Sequence, residues 1–281
     1  MKIMITGANG QLGSELVNLM RQTSFEAYAY TKEELDITND KLVIEEVDKV
    51  RPDVIINAAA FTKVDLAEEQ EDLAYAVNAY GQRNLAAAAE RIGSKVCYIS
   101  TDYVFDGQGN RPYREYDTTN PLGVYGGSKY AGEELTKQLS SKFFIVRTAW
   151  VYGEYGPNFV KTMLNLAQKQ KELGVVADQN GSPTYTLDLA EFIVELIQTD
   201  RFGTYHATNS GSCSWFEFAE AIFEIKNMDI KVNQLTTEQF PRPAKRPQYS
   251  VLDNFALRVN GFKELRHWKL ALAEFLSANE K

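Results

Sequence analysis

Lys2-Ile-Met-Ile-Thr6-Gly7-Ala-Asn9-Gly10-Gln11-Leu12-Gly13 decides the fold of this chain. A short apolar run, Lys2 to Thr6, reads as a strand and enters three glycines with two residues between each. A helical pattern follows, with Leu12, Leu16, Leu19 and Met20 on one face. The glycines permit a tight turn and close backbone approach, and the start of the helix offers unpaired N–H groups to an anion. An ordinary glycine turn needs none of that context. Strand, spacing and helix agree on a dinucleotide pyrophosphate held by Gly7, Asn9, Gly10, Gln11, Leu12 and Gly13.

Moving outward, Glu26 to Tyr30 reads as a second strand and ends in Thr31-Lys32. A site selective for NAD usually carries an acid there, gripping the ribose hydroxyls, whereas Lys32 suits a 2′-phosphate. Asp36 either caps a helix starting near Asn39 or reaches the adenine side of the cofactor with Ile37. The balance favours NADPH, with NADH as the alternative. Arg51 to Asn57 is a third strand and opens into Ala58, Ala59 and Ala60, small residues over which a flat cofactor can lie. A long helix is expected from Asp72 to Arg91, with Asn78 inside it. The strand Lys95 to Ser100 then delivers the hydroxyl of Thr101, which either satisfies a turn or holds a substrate oxygen.

Tyr125-Gly-Gly-Ser-Lys129 sets a phenol and an amine four residues apart, on one face if helical. Taken alone, the pair is most often a surface coincidence. After a cofactor site it becomes a proton relay, because a neighbouring ammonium favours the phenolate of a tyrosine whose free pKa is about 10.

The 281 residues, with 44% hydrophobic and 24% charged side chains, suit a globular chain with a real core. No apolar run approaches the roughly 18 residues of a membrane span, and the strand beginning at Lys2 leaves no room for a signal peptide. Cys97 and Cys213 lack metal-ligand spacing and are expected as reduced, packed thiols in a cytoplasmic protein. A net charge of −8 argues against nucleic acid and requires a local basic cluster for any anionic ligand.

Taken together, Gly7-x-x-Gly10-x-x-Gly13, Asn57-Ala-Ala-Ala60, Ser100-Thr101-Asp-Tyr-Val-Phe-Asp-Gly107 and Tyr125-x-x-x-Lys129 resemble an extended short-chain dehydrogenase/reductase. Arg147-Thr-Ala-Trp150-Val-Tyr-Gly153, Ala177-Asp-Gln-Asn-Gly-Ser-Pro183 and Ala244-Lys-Arg246-Pro-Gln-Tyr-Ser250 narrow the resemblance to the dTDP-4-dehydrorhamnose reductases, over nearly the whole chain. It implies an α/β fold: a Rossmann-type doubly wound parallel sheet with a smaller, interleaved α/β substrate domain. The expected division gives 1–150 to the cofactor, with roughly 183–207 packing back, and mainly 151–281 to a nucleotide sugar. It implies Tyr125, Lys129 and Thr101 as catalytic residues, Asn78 beside the cofactor, and Thr62, Val64, Asp102 and Trp150 around the sugar. The implied reaction is NAD(P)H-dependent reduction of a C4 ketone on a dTDP-linked 6-deoxyhexose, giving dTDP-L-rhamnose for cell-surface polysaccharide.

Expectations for the second half follow the same patterns. Helices are expected over 158–173, 187–197 and 215–225, a strand over 203–206, and His206 and His267 are read as structural. Arg242, Lys245 and Arg246 form a proline-spaced cationic loop, either simply solvated or facing a nucleotide diphosphate, with Arg246 the candidate. Some relatives dimerise through Mg²⁺ held by carboxylates. Glu15 is the matching position, but a lone exposed glutamate makes no metal site, so Mg²⁺ and a homodimer stay open. A nucleotide-sugar dehydratase is disfavoured because Asp102-Tyr103 follows Thr101 where that chemistry uses Asp-Glu. An epimerase, a reductase of another nucleotide sugar and a non-catalytic regulatory subunit are the remaining alternatives.

Overall fold

The computed structural model describes residues 1–278. Its first half alternates strand and helix: β1 (Lys2–Thr6), α1 (Gln11–Met20), β2 (Glu26–Tyr30), α2 (Asp40–Val50), β3 (Val54–Asn57), α3 (Val64–Glu69), α4 (Glu71–Tyr75), α5 (Gln82–Ile92), β4 (Lys95–Thr101), α6 (Val124–Leu139) and β5 (Phe143–Thr148). Then follow β6 (Val151–Tyr152), α7 (Phe159–Ala167), β7 (Glu172–Val176), β8 (Asn180–Gly181), β9 (Thr184–Tyr185), α8 (Thr186–Leu196) and β10 (Gly203–His206). The last elements are β11 (Cys213–Ser214), α9 (Trp215–Ile225), β12 (Lys231–Leu235), α10 (Phe255–Val259) and α11 (Trp268–Ala278).

Six strands form one parallel sheet in the order β10-β5-β4-β3-β1-β2. The expected doubly wound fold is therefore present. Val54, Ile55, Ile56 and Asn57 of β3 are all buried, as a central parallel strand covered on both faces requires. One face packs Ile3, Ile5, Val54 and Ile56 against Leu12 and Leu16 of α1 and Leu189 and Ile193 of α8. The other packs Met4 and Ile55 against Val43 and Val47 of α2 and Leu85 and Ala89 of α5. A separate core joins Val160 and Met163 of α7, Leu173 and Val175 of β7, Phe218 and Ile222 of α9 and Leu272 and Phe275 of α11.

α8 and β10 pack with the six-stranded sheet, and Leu257, Phe262 and Leu265 also join the core under α1 and α8. The helix expected over 158–173 ends at Ala167. Glu172 to Val176 is a strand instead, with Leu173 and Val175 buried and Gly174 exposed, a period of two that pairs it in parallel with β12. The helix expected over 72–91 is interrupted by a π-helical segment, Ala76–Gly81, that contains Asn78. Such insertions concentrate at functional sites. Asn39, not Asp36, caps α2, its side chain accepting from the Leu42 N–H.

A buried ion pair ties α6 to the sheet. Glu133 takes two hydrogen bonds from the Arg147 guanidinium, at 2.8 and 2.7 Å, and one from the Ser100 hydroxyl at 2.6 Å. Glu133 and Arg147 are both buried. Removing one member leaves an uncompensated charge in the interior, so Glu133→Ala should lose about 3–5 kcal/mol of unfolding free energy, read from urea denaturation. A loss below about 1 kcal/mol, the range of an exposed pair, would contradict this account of how α6 is held.

Candidate active site

The site is built at the carboxyl ends of β1, β3, β4 and β5. Gly7 adopts φ 69°, and a Cβ there would lie 2.5 Å from the backbone nitrogen of Ala59. A Cβ on Gly13 would lie 2.0 Å from the Gly7 carbonyl oxygen. The turn therefore closes only with glycine at both positions, and it brings α1 up behind a cavity of about 440 Å³. Gly7, Asn9, Gly10, Lys32, Asp36, Ile37, Ala58, Ala59, Ala60 and Thr62 line that cavity. A chain of small residues leading from a glycine turn to a strand end fits a nicotinamide dinucleotide.

Three of the expected cofactor residues lie behind this surface. Gln11 is partly buried and Leu12 belongs to the core against α8, while Gly13 is packed under Gly7. Asn78 is not among the residues lining the cavity either. Its carbonyl oxygen accepts from the Phe61 N–H at 2.8 Å, and its amide donates to the Phe61 carbonyl and the Ser128 hydroxyl. Asn78 thus fastens the cavity wall to α6. Asp36 folds onto the N–H and hydroxyl of Thr38, and these hydrogen bonds outweigh its burial and hold its carboxyl below the usual range. Lys32 also acts in that direction, which puts the two rival cofactor determinants at one end of the cavity.

The next group lies where β4 meets α6. Tyr125 and Lys129 share a face of α6, as their spacing predicts. The Lys129 ammonium donates to the Ile99 carbonyl at 2.5 Å and lies 4.1 Å from the centre of the Tyr98 ring. Burial pulls its pKa down to about 7, against the opposing charge of Glu133. Burial pushes the Tyr125 phenol up to about 12, and a hydrogen bond with Thr101 works the other way. Tyr125 is consequently protonated near neutral pH, the form that a proton donor needs. Thr101 serves the turn considered for it: its oxygen accepts from the Tyr103 N–H and so caps the short 3₁₀ turn Asp102–Val104.

Asp102 is buried and receives the Thr101 hydroxyl on Oδ1 at 3.0 Å; Oδ2 has no close hydrogen-bond partner, although the Ser250 hydroxyl also acts on the carboxyl. Thr148, paired with Thr101 across β4 and β5, has an unpartnered buried hydroxyl as well. Such orphaned groups are costly unless something else satisfies them. Trp150 takes φ 48°, an uncommon backbone for a bulky side chain, and stacks on Trp215 at 3.5 Å. Thr62 and Val64 lie at the start of α3, and Asp65, which the sequence reading passed over, receives hydrogen bonds from both Arg242 and Arg246. That contact spans 177 residues to Arg242 and left no local signal.

Other candidate positions separate from this group. His206 is buried, and burial next to Arg147 drives its pKa well below the ordinary histidine value. Glu15 is half-buried rather than exposed and accepts from the Thr186 hydroxyl at 3.0 Å. Among the described residues no group of three or more His, Cys, Asp or Glu is placed to hold a metal ion, and no helix is long and apolar enough to cross a membrane. Cys97 and Cys213 are buried free thiols. A second cavity, about 500 Å³ and lined by Arg51, Lys95 and Lys142, lies at the opposite ends of the strands, away from Tyr125.

A family model described as the RmlD substrate binding domain matches residues 1–280. A dTDP-4-dehydrorhamnose reductase of Aggregatibacter actinomycetemcomitans is 46% identical, over 90% of each chain. The chain belongs to the dTDP-4-dehydrorhamnose reductase family. The spore coat polysaccharide biosynthesis protein SpsK of Bacillus subtilis is also 46% identical, over 98% of this chain and 96% of that one. The fold of this family member matches a Clostridium acetobutylicum dTDP-4-dehydrorhamnose reductase with a TM-score of 0.98, at 48% identity and full coverage of both chains. It matches the Bacillus anthracis enzyme, solved in complex with NADP, with a TM-score of 0.97 at 49% identity and 99% coverage of each.

The buried Asp102 supplies a test of the site's electrostatics. Burial raises its pKa to about 6, against the partial relief of its hydrogen bonds. The folded state then holds the proton more tightly than the unfolded state, so ionisation costs stability as pH rises from the ordinary aspartate value through about 6. Asp102→Asn removes that dependence. Relative to the parent, the variant should gain on the order of 3 kcal/mol between about pH 4 and about pH 8, measured by urea denaturation. A difference constant across that range would contradict the burial assigned to the carboxylate.

Proposed function

We propose that this protein reduces the C4 ketone of dTDP-4-dehydro-L-rhamnose to dTDP-L-rhamnose, with NADPH as the preferred reductant. The observation carrying this reading is the meeting of a protonated Tyr125, Lys129 and Thr101 beside a glycine-built dinucleotide cavity. Family membership over the full chain supplies the substrate class. The bound dihydronicotinamide would supply hydride to the ketone carbon.

Tyr125 donates its phenolic proton to the oxygen on which charge develops. The Thr101 hydroxyl, turned from Asp102, would hydrogen-bond and orient that oxygen, and the Lys129 ammonium favours the phenolate left behind. Lys129 would also hold the nicotinamide ribose. Asp102 and Thr148 would find partners in sugar hydroxyls, Trp150 would cover the sugar ring, and Thr62 and Val64 would bound its pocket. Lys32 favours a cofactor 2′-phosphate. Arg246 is the cation for the diphosphate, and the core built from α7, α9 and α11 supports this half of the site.

The test is NADPH oxidation followed by absorbance with dTDP-4-dehydro-L-rhamnose, comparing the parent with Tyr125→Phe. The expected outcome is parental turnover and a loss of about 10²–10⁴ in kcat in the variant, with NADPH binding retained. Equal turnover by both proteins would remove Tyr125 from the mechanism. Bound cofactor without turnover in the parent would favour the non-catalytic reading.

A further inference from the structure

The loop that carries Arg246 is held in an unusual way. At its start, Asp178 accepts from the N–H and hydroxyl of Thr237. At its end, Pro247 packs on Gly107, and Tyr249 and Gln248 hydrogen-bond with Gly107 and Asn180. Between these anchors, among the described residues, the hydrogen bonds that reach outside the loop all go to one side chain, Asp65. Its Oδ2 accepts from Arg242 Nε at 3.0 Å and Nη2 at 2.6 Å. Its Oδ1 accepts from the Ala244 N–H at 3.2 Å and Arg246 Nη2 at 3.0 Å.

We propose that Asp65 is the positioning residue for substrate diphosphate recognition, pinning the 240–246 loop so that Arg246 is preset at the mouth of the catalytic cleft. Asp65 follows directly on Val64 at the start of α3, so the carboxylate is carried by the cofactor half and the cations by the other. The same cluster reaches the chemistry through Tyr103. Arg246 and Asp65 act on its phenol with opposite sign, and its ring stands edge-on 5.5 Å from that of Tyr125.

The charge balance fits positioning rather than neutralisation. Asp65 offsets one of the three cations Arg242, Lys245 and Arg246, leaving an excess positive charge for an anionic ligand. Arg246 commits Nη2 to Asp65 and Nη1 to the Ala244 carbonyl, and its Nε–H makes no hydrogen bond among the described residues. A preset guanidinium loses less side-chain freedom when the ligand arrives. The Arg242 side chain is 48% exposed and that of Asp65 22%, so the contact itself adds little to folding stability.

This inference rests on Arg246 being the diphosphate cation, and the experiment separates the two. Steady-state kinetics at saturating NADPH would compare the parent, Asp65→Asn, Asp65→Glu and Arg246→Ala, with dTDP and thymidine binding measured by calorimetry on each. Asp65→Asn should raise the nucleotide-sugar KM roughly tenfold, the size of a lost charge-assisted contact, with kcat held within about twofold. It should weaken dTDP binding but not thymidine binding, and Asp65→Glu should recover part of the loss. If Asp65→Asn leaves KM and dTDP affinity at parental values while Arg246→Ala raises both, the positioning role is wrong and the Arg246 assignment stands. If Arg246→Ala also changes neither, both are wrong. Loss of kcat at constant KM in Asp65→Asn would overturn the proposal too, by moving Asp65 into the chemical step. The calorimetric comparison reads binding even without turnover, so a failure of the reductase reading would be seen separately.

Discussion

The buried pairing of Glu133 with Arg147 is the contact on which the site depends. Glu133 sits one helical turn beyond Lys129 on α6, and Arg147 lies near the end of β5. Ser100, on the neighbouring strand, donates to the same carboxylate. Arg147 extends the contact to the Glu115 carbonyl and the His206 ring. Five segments are thus fixed around one ion pair, and the residue after Ser100 is Thr101. The distance between the hydroxyl of one strand end and the phenol of one helix is set from below, by a contact that never meets a ligand.

Burial then divides the ionisable groups. Tyr125 is kept as a phenol, Lys129 is brought close to neutral range, and Asp102 is left carrying a poorly satisfied carboxylate. Lysine as a partner for phenolate was the expectation from spacing. Desolvation alters the emphasis, since the resting pair is a protonated tyrosine beside a lysine that gives up its proton readily. This suits reduction, in which the tyrosine must start with its proton and the new phenolate is stabilised only after transfer.

Much of this was legible in residues that are neighbours in sequence. The Gly7–Gly13 turn, the strand ending at Thr101 and the Tyr125–Lys129 spacing each carry a local geometric requirement. The misreadings arose where the deciding contact is distant or the pattern short. Leu173 extended an apolar helical pattern because the alternation Leu173-Gly174-Val175 is only three residues long, and pairing with β12 settles it as a strand. Asn78 was expected beside the cofactor, and its partners Phe61 and Ser128, which lie far from it in the chain, left no local signal of its tie to α6. Asp65 carried no signal in its own stretch, because its partners Arg242 and Arg246 are brought to it only by the fold. The return of Leu257, Phe262 and Leu265 to the first core escaped notice for the same reason.

The central claim is that this arrangement carries hydride to a sugar carbon while Tyr125 supplies the proton. The most direct test is isotopic. NADPH bearing deuterium at the transferable position of the nicotinamide C4 would be turned over with dTDP-4-dehydro-L-rhamnose, and the product examined by mass spectrometry and NMR. The account predicts one deuterium at C4 of the sugar for each cofactor oxidised. Sugar conversion without net cofactor oxidation, or oxidation that leaves no deuterium at that carbon, would contradict it.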